Sequence, residues 1–293
     1  MPSTLKHWPG ITATPLTSGP ALSFPLFPSP SLSSLCRPRL LSPPPTQRNI
    51  NYTNMCYFKC AFCAFSKGKH DLRGEPYNIG LDEIARRVRE AWQRGATEVC
   101  LQGGIHPDFT GRTYLDILTA VKAEQPEMHV HAFSALEVWH GASTLQLPVR
   151  TFLAQLRAAG LGSLPGTAAE VLDDEVRALI CPDKMSTREW LSVIQAAHEE
   201  GLKTTSTLMF GHLEAPGAVA RHLLRLRALQ RRTGGITEFV PLPFVHNQAP
   251  MYLRGESRQG PSFREAVLVH AVARLALFPV CVLTWHVLFV KVE

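Results

Sequence analysis

The run Ile50-Asn51-Tyr52-Thr53-Asn54-Met55-Cys56-Tyr57-Phe58-Lys59-Cys60-Ala61-Phe62-Cys63 sets a short β-prone strand, Ile50 to Thr53, directly before three cysteines that fall within eight residues. Beyond it, β-prone runs alternate with helical patterns, the order that predicts βα units around a parallel sheet. Leu81 to Arg94 carries apolar or small residues at Leu81, Ile84, Ala85, Val88, Ala91 and Trp92, a 3.6 period, and Gly95 stops it. The strand Glu98 to Leu101, a Gly103-Gly104 loop and a helix from about Thr113 to Glu124 come next. Met128 to Phe133 reads as a strand leading through a long loop to a helix at Val149 to Ala159.

A fourth strand is compressed around Gly162 to Leu164, and Trp190 to Glu200 is a helix capped by Ser186 or Thr187. Thr204 to Phe210, the basic helix Gly217 to Arg232, Glu238 to Leu242 and Phe263 to Leu277 continue the alternation. Val280 to Val292 is a candidate seventh strand. Six or seven consecutive units with no second composition break predict a TIM-type (β/α) barrel, C-terminally incomplete because the eighth unit is absent. The cysteine loop then occupies the first βα loop, at the end of the barrel where active sites are built.

Charge and proline separate the front of the chain from this body. Of 293 residues, 45% are hydrophobic and 18% charged, enough to bury a large core. The net charge of +6 would suggest a nucleic-acid or membrane-surface partner if it were spread over the chain. It is not, because Asp71 is the first carboxylate and seven basic residues precede it. The remaining 223 residues balance 23 basic against 24 acidic. Eleven of the 23 prolines lie in the first 45 residues, among serines, where neither a helix nor a central strand can form. Residues 1–47 therefore read as a low-complexity, disordered extension, with a composition that also fits an organelle-targeting segment. Residues 48–278 form the barrel and 279–293 an atypical tail. Leu275 to Val290 is uncharged over sixteen residues, but Pro279 and His286 interrupt it and a spanning helix needs about twenty. The expected location is cytoplasmic or, if the front is a targeting segment, plastid or organelle stroma.

Three thiolates this close cannot all pair with one another, so they are placed to grip one metal centre. A closed zinc site wants a fourth ligand, and the nearest candidate, His70, is seven residues on. Three cysteines on a short loop suit three irons of a 4Fe-4S cluster, with the fourth iron open to an outside ligand.

The CxxxCxxC run resembles the signature of the radical S-adenosylmethionine superfamily. Other loops resemble one branch of it: Gln102-Gly103-Gly104-Ile105-His106-Pro107, His129-Val130-His131-Ala132-Phe133-Ser134, Pro165-Gly166-Thr167-Ala168-Ala169-Glu170, Thr204 to His212, and Glu238 to Phe244. That branch holds the CofH family of FO synthase and the menaquinone enzymes of the futalosine route. Arg254-Gly255 and Gly260 to Leu268 favour CofH. The resemblance runs from about residue 48 to 278, and the chain departs from the pattern after Leu277.

The resemblance implies a radical SAM barrel with a 4Fe-4S cluster on Cys56, Cys60 and Cys63, and S-adenosylmethionine cleaved to a 5'-deoxyadenosyl radical. It implies transfer of the 4-hydroxybenzyl group of L-tyrosine to 5-amino-6-(D-ribitylamino)uracil, a step in making the deazaflavin FO, the coenzyme F420 precursor. It also implies a CofG-like radical SAM partner and an electron donor. The alternatives are a futalosine-route enzyme, or a clipped barrel that binds a cluster or zinc without turnover. Neither nucleic acid nor membrane is an expected partner.

Candidate site residues follow from position. Tyr57 and Phe62 sit inside the cysteine run and are expected over the cluster or an adenine. Gly103 and Gly104 permit close approach of backbone to the methionine amino group, or form an ordinary βα turn. Glu170 is expected to bind ribose or the methionyl amine, or to act only as a helix N-terminal acid. Glu170, His131 and Glu137 are the catalytic candidates, and His106 a further substrate contact, each weighed against a structural role. Cys100 and Cys181 read as buried thiols. The arginines of the basic helix read as a solvated outer face.

Overall fold

The computed structural model describes residues 46–66, 75–277 and 282–283. The Pro/Ser-rich front up to residue 45, with Cys36, lies outside the described residues, as do His70, Cys281 and most of the 279–293 tail. The expectations of a targeting segment and a disordered extension fall there, as does His70, the nearest candidate for the zinc alternative. Among the described residues, no helix is long and apolar enough to cross a membrane.

Among the described residues seven strands form one sheet in chain order: β1 (Thr46–Asn51), β2 (Ala96–Gln102), β3 (His129–Ala132), β4 (Ser163–Leu164), β5 (Lys203–Phe210), β6 (Ile236–Pro243) and β7 (Val282–Leu283). Every neighbouring pair is parallel. Strands that are parallel and consecutive place all their C-terminal ends, and the loops that follow, on one side. Among the described residues β1 and β7 are the two edges, so the sheet they form is open. β1 begins at Thr46, and Val282 and Leu283 pair with Glu238 and Phe239, so the sheet reaches slightly past both expected barrel boundaries.

Nine helices connect the described strands: α1 (Leu81–Gln93), α2 (Gly111–Glu124), α3 (Ala135–Thr144), α4 (Val149–Ala158), α5 (Asp174–Ile180), α6 (Thr187–Glu199), α7 (Pro216–Thr233), α8 (Pro250–Leu253) and α9 (Phe263–Leu277). Local chemistry sets most of their ends. α1 buries Ile84, Val88 and Ala91, and Gly95 leaves it at φ 83. α6 starts on a capping box of Ser186 and Glu189, as its S-x-x-E sequence dictates. α7 opens on Pro216 and ends at Gly234 in the left-handed region.

Three helices depart from the sequence expectation. The long loop after β3 contains α3, which buries Ala135, Leu136, Glu137, Val138, His140, Gly141 and Ala142, nearly all of its circumference. A helix without a polar face shows no amphipathic period, and only its Ser134/Glu137 capping box marks it in the sequence. α5 and α8 are too short to show a period. β1 also ends at Asn51, two residues before the expected Thr53. The chain turns away there because Thr53 and Asn54 bond the 75–78 segment, with Thr53 Oγ1 donating to Tyr77 O at 2.8 Å and Tyr77 N to Asn54 Oδ1 at 2.7 Å.

The core runs between sheet and helices, with Tyr114, Phe133, Phe152, Trp190, Phe210 and Phe239 fully buried. Burying each aromatic side chain contributes on the order of 2 kcal/mol. Trp190 also donates its indole N–H to Thr167 O at 3.2 Å, tying α6 to the loop after β4. On the basic helix α7, Arg221 and Arg225 reach Asp173, the cap of α5, while Arg231 and Arg232 are exposed.

Candidate active site

The loops after β1 to β4 enclose a cavity of about 230 Å³ into which Cys56, Cys60 and Cys63 all open. Backbone bonds stitch the cysteine loop to its surroundings. Tyr57 N donates to Ile105 O at 3.1 Å, Ala61 N to Ile180 O at 2.8 Å, and Met251 N to Ala61 O at 2.8 Å. The loop is thereby pinned between the β2 loop, α5 and α8. Burial raises the pKa of the Cys60 and Cys63 thiols, although Lys184 opposes this at both.

The same cavity is lined by Gly103, Gly104, Phe62, Glu137 and Glu170. The two glycines are demanded by the scaffold itself. A Cβ on Gly104 would stand 2.3 Å from Met55 O, and one on Gly103 would stand 2.3 Å from the Tyr52 ring. The close approach that needs glycine is therefore the packing of the β2 loop onto the end of β1, and it brings that loop to the cavity wall.

Glu137 is N3 of α3 and wholly buried. It closes the capping box by accepting from Ser134 N and Ser134 Oγ, both at 2.6 Å, and it also accepts from Tyr52 Oη and, at 3.3 Å, from Gly103 N. Burial raises its pKa despite these four donors. One carboxylate thus joins β1, the β2 loop and the start of α3.

Glu170 is held differently. Its Oε1 accepts from the Lys184 ammonium at 2.9 Å, with both side chains largely buried. Burial works to lower the Lys184 pKa, but Glu170 and the nearby thiols outweigh it and the pKa is raised, so the ammonium is charged. It also stands 5.5 Å over the centre of the Phe62 ring. The backbone carrying Glu170 is strained, with Ala168 at φ 64 and Glu170 at φ 44, and Phe133 at φ 62 ends the neighbouring strand. The Arg177 guanidinium, 3% exposed, braces that loop by donating to Ala169 O at 2.7 Å and to Ala168 O and Val171 O at 3.4 Å. It reaches Met185 O as well, at 2.5 and 3.0 Å. Arg177 and Lys184 were not candidates from sequence, because both belong to or follow α5, a helix too short to show a period. The Asp173 cap was the available signal.

Three expected residues stand elsewhere. Tyr57 faces outward, 45% exposed, and stacks on Phe58 with ring centres 4.4 Å apart; Phe58, not Tyr57, lines the cavity. His131 points to β4, where its Nδ1 meets Ser163 Oγ at 2.7 Å beside His129 at 2.9 Å. Burial, then His129, pushes its pKa down to about 4, so it is a neutral strand-to-strand link away from the cavity lining. His106 is stacked on Phe109 at 4.7 Å and accepts from Asp108 N, also outside the lining. Cys100 and Cys181 are buried thiols, as their isolation implied.

The radical SAM superfamily model matches residues 50–225, a stretch spanning the cysteine loop and the loops after β1 to β5. The chain belongs to the radical SAM superfamily. Members bind a 4Fe-4S cluster and S-adenosylmethionine, and the cavity fits that pair. Among the described residues no three His, Cys, Asp or Glu groups converge on a single-ion point. Three thiols lining one cavity suit three irons of such a cluster.

The chain is 51% identical over 232 residues to an FO synthase of Streptomyces coelicolor, covering 79% of this chain and 26% of the relative. It is 50% identical over 230 residues to an FO synthase of Mycobacterium tuberculosis, covering 78% and 27%. Against the 5-amino-6-(D-ribitylamino)uracil--L-tyrosine 4-hydroxyphenyl transferase of Methanopyrus kandleri it is 48% identical over 232 residues, covering 79% and 62%. The chain thus spans about a quarter of the FO synthases and under two thirds of the transferase. Among solved structures, methylornithine synthase (PylB) aligns at TM-score 0.62 and 15% identity, covering 81% of this chain and 63% of that one. The hydrogenase maturase HydG aligns at TM-score 0.60 and 15% identity, covering 81% and 50%. Both likenesses concern the barrel fold.

Proposed function

We propose that this radical SAM chain transfers the 4-hydroxybenzyl group of L-tyrosine to 5-amino-6-(D-ribitylamino)uracil in the making of FO. The observation that carries the reading is 48% identity over 232 residues to the named transferase. In this reading Cys56, Cys60 and Cys63 hold a 4Fe-4S cluster, and Gly103, Gly104, Phe62 and Glu170 line the place for S-adenosylmethionine. Together, cluster and S-adenosylmethionine supply the one-electron cleavage that starts radical chemistry.

The chain's own part is placement and exclusion of water. Phe58, Phe62 and Phe65 give the cavity an apolar wall, and the Glu137 bonds hold the β2 loop against it. Glu170 offers a carboxylate to an amine or a ribose hydroxyl in exchange for Lys184. Glu137, whose four acceptor contacts are already taken, serves as scaffold. A CofG-like partner and a low-potential electron donor complete the proposal.

The test is anaerobic reconstitution with iron and sulfide, then incubation with S-adenosylmethionine, dithionite, tyrosine and the aminouracil. Mass spectrometry is expected to find 5'-deoxyadenosine and the 4-hydroxybenzyl adduct. Cys56→Ala, Cys60→Ala and Cys63→Ala are each expected to lose the brown cluster absorbance and nucleoside release. Loaded protein that ignores tyrosine and the aminouracil, or turns over a futalosine-type substrate instead, overturns the assignment.

A further inference from the structure

We infer that Lys184 is a positioning charge that sets the redox poise of the three-cysteine cavity, favouring the one-electron-reduced state of the cluster held there. The inference rests on the reading that the cysteines carry a cluster. Among the described residues, Lys184 is the lysine on the wall of the cavity that receives all three thiols, and no arginine joins it there. Its side chain is only 11% exposed, so little water screens its charge.

The Lys184 ammonium stands 5.5 Å over the ring of Phe62, which lies between Cys60 and Cys63 in the chain, so the cationic end of its pair with Glu170 lies against the cysteine loop. Stability alone gives little reason for such a pair, since a buried ion pair rarely outperforms an apolar pair of the same shape.

The placement of Lys184 is enforced from both sides. Asp183 Oδ2 accepts from Lys59 N at 2.9 Å, inside the cysteine loop, and Met185 O accepts from Arg177. The ammonium is thus registered to the cysteine loop through one neighbour and to the Glu170 loop through the other.

Cluster potential follows net charge, hydrogen bonds to sulfur and solvent exposure. Reduction adds one electron from a low-potential one-electron carrier, with no proton and no bond made or broken. Lys184 donates neither electron nor proton. It lowers the energy of the added negative charge.

The experiment compares wild type with Lys184→Arg, Lys184→Met and the double variant Glu170→Gln with Lys184→Met, each reconstituted anaerobically and assayed for iron and sulfide. Each is then titrated with dithionite against mediator dyes, with the reduced cluster read by electron paramagnetic resonance. Lys184→Arg is expected to keep the wild-type midpoint. Lys184→Met is expected to lose at least tenfold in the reduced-to-oxidised ratio at a fixed potential, about 59 mV for a one-electron couple. The double variant, which strands no carboxylate, is expected to shift in the same direction by less.

An unchanged or raised midpoint in a fully loaded Lys184→Met or double variant overturns the inference. Failure of both to load while Lys184→Arg loads makes Lys184 a structural prop, and overturns it too. Wild type that takes up no iron and sulfide defeats the cysteine reading instead, a separate and visible outcome.

Discussion

Glu137 and Glu170 line one cavity and are held by opposite means. Four donors grip Glu137, and none of them is a cation: a phenol, a serine hydroxyl and two backbone amides. Glu170 has an ammonium, on a loop bent into left-handed backbone. A carboxylate whose acceptor capacity is consumed by scaffold amides builds the site. A carboxylate held by one side-chain cation can exchange that partner for a ligand. Residue type and strand-end position are the same for both, so only the partners separate the roles.

The contrast breaks first at Glu137→Ala. That change strands two backbone amides, Tyr52 Oη and the Ser134 hydroxyl in a buried setting, and each orphan costs about 1–3 kcal/mol. A loss of roughly 3 kcal/mol or more in urea unfolding of the metal-free protein is expected. A loss under about 1 kcal/mol would show that Glu137 is not the scaffold. Tyr52→Phe removes one of the four donors and is expected to cost about 1–2 kcal/mol by the same measurement.

Acidity sharpens the comparison further. Burial raises the Glu137 pKa above its ordinary 4.5. Its contribution is therefore full below 4.5 and lost as pH rises through the raised value. Against Glu137→Gln, which does not titrate, wild type should gain relative stability on acidification through that window, by up to about 1.4 kcal/mol per pH unit. Taking the difference between the two proteins matters because His222, pushed down to about 3 by burial, acts in the opposite sense. Its contribution is present above 6.5 and lost as pH falls toward 3, equally in both proteins. A gap independent of pH from 7 to 4 would mean that Glu137 is not held with a raised pKa.

The smallest effect belongs to the other carboxylate. Glu170→Gln combined with Lys184→Met swaps an ion pair for a neutral pair and is expected to change unfolding by less than about 1 kcal/mol, in either direction. A loss as large as that of Glu137→Ala would erase the distinction.

How much of the site was legible varies residue by residue. The cysteine loop, the Gly103-Gly104 turn and Glu170 follow directly from spacing and from their place after strands. Tyr57 and His131 misled, because neighbourhood in sequence does not give direction. Tyr57 follows Cys56 in an irregular loop with no period to set its face, and it turned outward onto Phe58. His131 shares a strand face with His129, two residues away, and both meet Ser163. α3 was hidden because burial all round removes the polar face that a period needs.

By itself the sequence determined the order of the strands and of the six helices with an amphipathic period, and the three thiols at the first strand end, because these rest on local spacing and on hydrophobic period; the superfamily came from the resemblance of the cysteine run. Which carboxylate is scaffold, which histidine is structural, and that Arg177 and Lys184 belong to the site were decided by tertiary structure. Those roles depend on partners distant in the chain, 85 residues apart for Tyr52 and Glu137, and on a desolvated setting that only the folded barrel creates.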